Sequence, residues 1–408
     1  MQISRWGQIA LLATIAMFAF PSVAAAGVAT SEGGTVRFAD PAGAGDDLTV
    51  TLRFVDDPSR TTYPQGWSTG FYGLLTPVTW GAGCEEGYVG TVCPYGASAP
   101  AGVAVDSGAG DDELDLIVTA EAAAAPTRIT LAAGPGDDVI VSVRARAELD
   151  GGEGDDVVKP DERLALDFPP DATPGGVIRG GAGTDTVNYE QALNPIAVSL
   201  DGVANDGRPG ERDNVHPDVE NVTGSHYGNT LTGSSAANVL NGGGGEDRIS
   251  GGSGRDTLDG RTGNDTIDAL DAAPGDRITC GEGADVALVD SGDIVASDPF
   301  AACEQVAWAP RLARSTLRYR DGRITVTLAC PTEAANCRGT VALRSAASKP
   351  RTLAKAGYRL KRGKRASLRL KPNRAGRSAL KRRSVKATVH VAPRGASADA
   401  GRSITVRR

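Results

Sequence analysis

Seven side chains carrying a carboxylate or carboxamide oxygen recur along one stretch of this chain: Asn229, Asn238, Asp247, Asp256, Asp265, Asp276 and Asp285. Two residues after each comes a small or aliphatic residue, in order Leu231, Leu240, Ile249, Leu258, Ile267, Ile278 and Ala287. The interval is nine residues from 229 to 265, eleven once, and nine again to 285. Hard oxygen donors at a fixed period, embedded in glycine-rich turns, are suited to holding a hard divalent cation. Calcium takes six to eight oxygens, from carboxylates and main-chain carbonyls alike.

Three units, 241–249, 250–258 and 259–267, run without a gap and read x-G-G-x-G-x-D-x-U, with U a large aliphatic residue; Arg261 replaces one glycine of the third. The glycines permit turns that other residues resist, and the aliphatic residue points inward from a very short strand. Less regular members lie upstream: Asp112/Leu114, Asp138/Ile140, Asp156/Val158 and Asp185/Val187 each follow a Gly-x-Gly or a turn of that kind, and Asp47/Thr49 is a weaker one. A repeat of this period is the mark of a solenoid.

The pattern resembles the haemolysin-type (RTX) calcium-binding repeat. The resemblance implies an all-β fold, a parallel β-roll or β-solenoid binding calcium between its turns. It implies carboxylate ligands at Asp247, Asp256, Asp265, Asp276 and Asp285, with turn oxygens from Gly243, Gly245, Gly252, Gly254, Gly263 and Asn264. Asn238 and the upstream Asp138, Asp156 and Asp185 complete the candidate set. Two half-turns of nine residues per coil place Asp247 over Asp265, Asn238 over Asp256 and Asp138 over Asp156. With the inserted pair, Asp256 meets Asp276 and Asp265 meets Asp285. Asparagine at 229 and 238 keeps an oxygen without the charge, so weak binding is expected at that edge.

Charge supports a cation requirement. The chain carries a net −7, but residues 311–408 alone carry +24, leaving −31 on residues 1–310. Such an acidic stretch repels itself unless neutralised. Extracellular calcium modules bind at roughly 10⁻⁴–10⁻³ M, so at about millimolar calcium each site contributes only ~0.4–1.4 kcal/mol and folding needs several together.

Arg5 followed by the apolar run 9–20 and the small residues Ala24, Ala25 and Ala26 predicts a secretory signal peptide over 1–26. No later run is long and apolar enough for a membrane span. Six cysteines in an exported chain point to disulfides; proximity favours Cys84–Cys93, Cys280–Cys303 and Cys330–Cys337. Scattered histidines and the lack of C-x-x-C argue against zinc.

The remaining organisation follows from composition. Residues 27–105 read as an N-terminal β region with a disulfide loop, 106–222 as degenerate solenoid repeats with insertions, and 223–308 as the regular roll and its cap. Residues 311–408 alternate short apolar strands with turns and basic residues, which suggests a small immunoglobulin-like β-sandwich. Its partner would be an anionic cell-wall or extracellular polymer, or the chain's own acidic roll, and a cell-wall adhesin acting through this domain is an alternative function; nucleic acid is disfavoured because stacking aromatics are scarce. A secreted hydrolase is the alternative from another class, since Gly66-Trp67-Ser68-Thr69-Gly70 matches G-x-S-x-G. A nucleophile elbow, however, needs a strand before it, a helix after it, and acid and histidine partners. The expectation is therefore a secreted, non-enzymatic calcium-binding structural protein.

Overall fold

The computed structural model describes residues 101–118, 128–143, 147–161, 175–271, 275–290, 292–296, 303–309, 311–312, 316–330, 336–346, 349–380, 384–393 and 400–407. Upstream it describes the backbone of 28–32, 35–39, 47–55, 66–73, 79–80, 85–87 and 90–96. The segment 1–26, and the side chains of the expected Cys84–Cys93 pair, lie outside the described residues.

Three-residue strands cannot stand alone, so their stability comes from stacking on the coils before and after. One wall of the solenoid runs the whole length in parallel register. Leu114 stands beside Ile140, then Val158, Val187, Val222, Leu240, Leu258 and Ile278. Each of these eight inward side chains is at most 1% exposed. Burying one such aliphatic side chain is worth about 1.5–3 kcal/mol, so the column is a continuous core in which no coil can be lifted out alone.

The facing wall is built in two parts. Strands Gly102–Asp106, Arg128–Pro135, Ala147–Glu153 and Val177–Ala182 form it upstream, ending at Asn214–Val215. Downstream it is Ala197–Ser199, Thr230–Thr232, Arg248–Ser250, Thr266–Ala269, Val286–Val289 and Gln305–Trp308. The chain changes from one part to the other within 189–220. Strand Ala197–Ser199 founds the downstream part, and Asn214–Val215 returns to close the upstream one. Parallel stacking also reaches further back than the repeat motif suggests, because Thr35–Ala39 pairs with Gly102–Asp106 and Asp47–Val55 with Glu113–Val118.

Residues 311–407 form a second unit with its own core. Strand Thr316–Arg320 pairs antiparallel with Arg323–Ala329 through a turn at Asp321 and Gly322, both with positive φ, and parallel with the last strand, Ala400–Arg407. Arg365–Leu370 lies on the other side of Arg323–Ala329. Asn336–Ser345 sits between Thr352–Lys361 and Ser384–Pro393. Residues from both strand groups, among them Ile324, Val326, Val341, Leu343 and Val389, share one buried cluster. The short helix Arg374–Ala379 is capped by Asn373, whose side chain accepts from the Gly376 amide. Cys330 is bonded to Cys337, and Trp308 packs against both this core and that of the solenoid. No helix among the described residues is long and apolar enough to cross a membrane.

Candidate metal centre

Each rung aspartate stands at the last residue of a turn, immediately before a wall strand. Its Oδ1 accepts a hydrogen bond from the backbone amide of the rung residue one coil earlier. Along the full-length wall Asp112 N donates to Asp138 Oδ1 at 2.7 Å, Asp138 N to Asp156 at 2.8 Å and Asp156 N to Asp185 at 3.0 Å. Further on, Asn238 N donates to Asp256 and Asp256 N to Asp276, both at 2.9 Å. A second row precedes the downstream facing wall, where Asn229 N donates to Asp247 at 2.6 Å, Asp247 N to Asp265 at 2.9 Å and Asp265 N to Asp285 at 2.7 Å. Every stacked pair named from spacing is thus adjacent in space.

The second oxygen of these carboxylates has a different fate. Oδ2 of Asp138, Asp156, Asp185, Asp247, Asp256, Asp265 and Asp285 is buried with no hydrogen-bond partner, and each of these side chains is at most 1% exposed. A buried, unpaired carboxylate is strongly disfavoured and its proton affinity rises. Burial, reinforced by neighbouring carboxylates, pushes Asp247 and Asp138 up to about 7 and Asp185 and Asp265 up to about 6. Asp276 rises to about 7 and Asp256 to about 6 for the same reasons, and Asp156 and Asp285 are also raised.

Glycine makes room for that oxygen. A Cβ on Gly242 would lie 2.2 Å from Asp247 Oδ2, and one on Gly251 or Gly260 would lie 2.4 Å from Oδ2 of Asp256 or Asp265. The second and third glycines of the turn do other work, since Gly243 and Gly245 have φ of +92° and +87°. Arg261, the one non-glycine in the perfect block, keeps the left-handed conformation with φ +68°. Turn geometry therefore persists at this departure from the motif.

Orphaned anionic oxygens among glycine-turn carbonyls fit a hard cation. Among the described residues no three His, Cys, Asp or Glu side chains converge on one point. Carboxylates alone therefore cannot complete a calcium sphere, and carbonyls are needed. Asn264 stands apart from the buried row, exposed, with its Oδ1 accepting from Ala284 N at 2.9 Å.

One reading needs correction. Strand pairing sets Leu48 beside Leu114 and Asp47 beside Glu113, one residue past the rung, so the Asp47/Thr49 pair is out of phase by one. Ser68 lies inside strand Gly66–Gly73, flanked by Asp47–Val55 and Gly90–Gly96, and among the described residues no helix adjoins this strand. That is not the elbow a serine nucleophile requires.

Glu220 and Glu304 are among the rungs that the sequence reading did not name. Glu220 accepts from Asp185 N through Oε2 at 3.0 Å, and Glu304 accepts from Asp285 N through Oε2 at 2.7 Å. Each is followed two residues later by a valine, Val222 or Val306, so the acid-then-aliphatic signal was present without a Gly-x-Gly before it. Cys303, beside Glu304, is bonded to Cys280, which fastens this last rung to the roll.

The family model described as the RTX calcium-binding nonapeptide repeat, in four copies, matches residues 224–258 and 232–267. Comparison with curated proteins finds no match. The matched residues take in the gap-free units 241–267 and the two asparagine turns just before them, and RTX nonapeptide repeats bind calcium: this part of the chain is an RTX calcium-binding β-roll.

Proposed function

We propose that this is an exported structural protein whose solenoid orders on calcium, with no catalytic role. Asp247, Asp256, Asp265, Asp276 and Asp285 supply carboxylate oxygens, and Gly243, Gly245, Gly252, Gly254 and Gly263 supply carbonyls. Asp138, Asp156 and Asp185 extend the same arrangement upstream. The observation that carries this reading is the series of buried, partnerless Oδ2 atoms at successive rungs. Calcium bound there would neutralise repulsion within the −31 segment. Two disulfides suit an oxidising compartment. Calcium titration of the chelator-treated mature chain, followed by far-UV circular dichroism and calorimetry, tests it. A cooperative gain of β signal up to millimolar calcium is expected; a chain fully folded in chelator that releases no heat would sink the idea.

A second role, contact with an anionic wall or extracellular polymer, is supported by the C-terminal unit. Exposed Arg338 stands directly across from exposed Arg359, and exposed Arg318 across from exposed Arg407. Like charges facing each other across strands are destabilising, and a polyanion would relieve them. Co-sedimentation with an anionic polymer should disappear when residues 311–408 are deleted; undiminished sedimentation would reject this role.

A further inference from the structure

Asn229 is a rung in which the second side-chain atom is a nitrogen. Its Oδ1 accepts from Ile196 N at 3.1 Å, the same duty an aspartate Oδ1 performs at other rungs. Its Nδ2 faces only oxygens: the carbonyls of Ser225 at 3.1 Å, Tyr227 at 2.5 Å and Gly242 at 2.8 Å, and Asp247 Oδ1 at 3.2 Å. The residue is 1% exposed. One coil on, register places Asp247 at this position, and Gly243, Gly245 and Gly260 where Ser225, Tyr227 and Gly242 stand. There a carboxylate oxygen takes the place of the NH₂ group.

The backbone of the two turns differs accordingly. Gly243 and Gly245 are left-handed, as are Gly252 and Gly254 in the next turn, whereas Ser225 and Tyr227 are not. The second asparagine turn shares this backbone but not the amide direction: a Cβ on Gly224 would lie 2.8 Å from Asn229 Nδ2, whereas one on Gly233 would lie 2.7 Å from Asn238 Oδ1. Ser234 and Ala236 are not left-handed, Asn238 Oδ1 accepts from Ser234 N at 2.8 Å, and its Nδ2 donates to Glu220 O at 3.0 Å.

We propose that Asn229 is a specificity-determining residue for metal loading, its amide nitrogen taking the place of a cation and closing this coil without calcium. The Asn229 turn is then metal-free, and on the downstream facing wall loading starts at the turn that opens with Gly242. This inference rests on the calcium reading above for the aspartate turns. It explains why the chain departs from aspartate at this rung while keeping the side-chain length: an amide hydrogen-bonds several carbonyls at no charge, where a lone carboxylate would face them.

Three full-length chains, wild type, N229A and the triple variant S225G/Y227G/N229D, would be melted in chelator and in calcium, and their bound calcium counted by calorimetry. N229A should lose several degrees of melting midpoint equally in both conditions, because no cation can replace the amide. The triple variant should be destabilised in chelator, recover in calcium, and bind more calcium per chain than wild type. An N229A midpoint equal to wild type, or a triple variant with no added calcium while wild type binds it, would overturn the proposal. Should wild type bind none, the calcium reading fails, and the N229A melt still decides what the amide does.

Discussion

The amide of Asp247 donates to Oδ1 of Asp265 at 2.9 Å, one coil away, while Oδ2 of both carboxylates is buried with no partner. One oxygen thus holds the coils together and the other is left for a cation. The division of labour separates two effects that a single alanine substitution would mix.

Asp247→Asn keeps the acceptor for Asn229 N and removes the charge. Metal-free protein near pH 8 should gain stability on the order of a few kcal/mol, since an ionised carboxylate no longer has to be buried. Calcium-loaded protein should lose stability and bind less calcium. Melting curves in chelator and in calcium test this crossing of sign; the same direction of change in both would reject it.

Acidity should act oppositely on the two forms. The rung carboxyls are raised from ordinary aspartate values to about 6 or 7, so the folded chain holds protons more tightly than the unfolded one. Metal-free stability is then fully present below about pH 4, the unfolded value, and is lost as pH rises through 6–7. Calcium competes with those protons. The calcium-induced rise in melting midpoint should be small at pH 5 and large at pH 8, as read by differential scanning calorimetry.

Gly242→Ala puts a methyl group 2.2 Å from Asp247 Oδ2 and 2.9 Å from the Gly260 carbonyl. Neither neighbour can retreat without breaking the ladder, so a loss of about 1–3 kcal/mol is expected, as for other overpacked sites. Calcium affinity should fall with it. Isothermal calorimetry beside a thermal melt measures both effects, and an alanine variant that loads calcium normally would contradict this account of the first glycine.

Opening Cys280–Cys303 frees the segment that carries Glu304. Entropy alone predicts a loss of about 3 kcal/mol for a loop of roughly this size, and Asp285 N loses its cap as well. A Cys280→Ser/Cys303→Ser chain should show faster amide exchange at Asp285 and Gln305 than at Thr257 or Val239 in the middle of the roll. Uniform exchange along the roll would mean that the bridge does not act as a local cap.

Much of the roll was legible in the sequence. A constant nine-residue interval between a hard oxygen and an inward aliphatic residue leaves one way to stack, and a slip of one residue would turn every Leu and Ile outward. That fixed the parallel coils, the partners Asp247/Asp265 and Asp256/Asp276, and the chemistry of a hard cation. Cys280–Cys303 and Cys330–Cys337 were readable from proximity. Tertiary structure decided what spacing could not. Rungs of one ladder are 18 residues apart at Asp138/Asp156 but 26 at Asp112/Asp138, 29 at Asp156/Asp185 and 35 at Asp185/Glu220. Register is set by the buried column, and connection length adds only slowly to the closure cost, so irregular insertions hide Glu220 and the change of wall at 189–220. The direction of the Asn229 amide was equally out of reach. It depends on carbonyls delivered by residues 225, 227 and 242, and only the folded coil brings those three together.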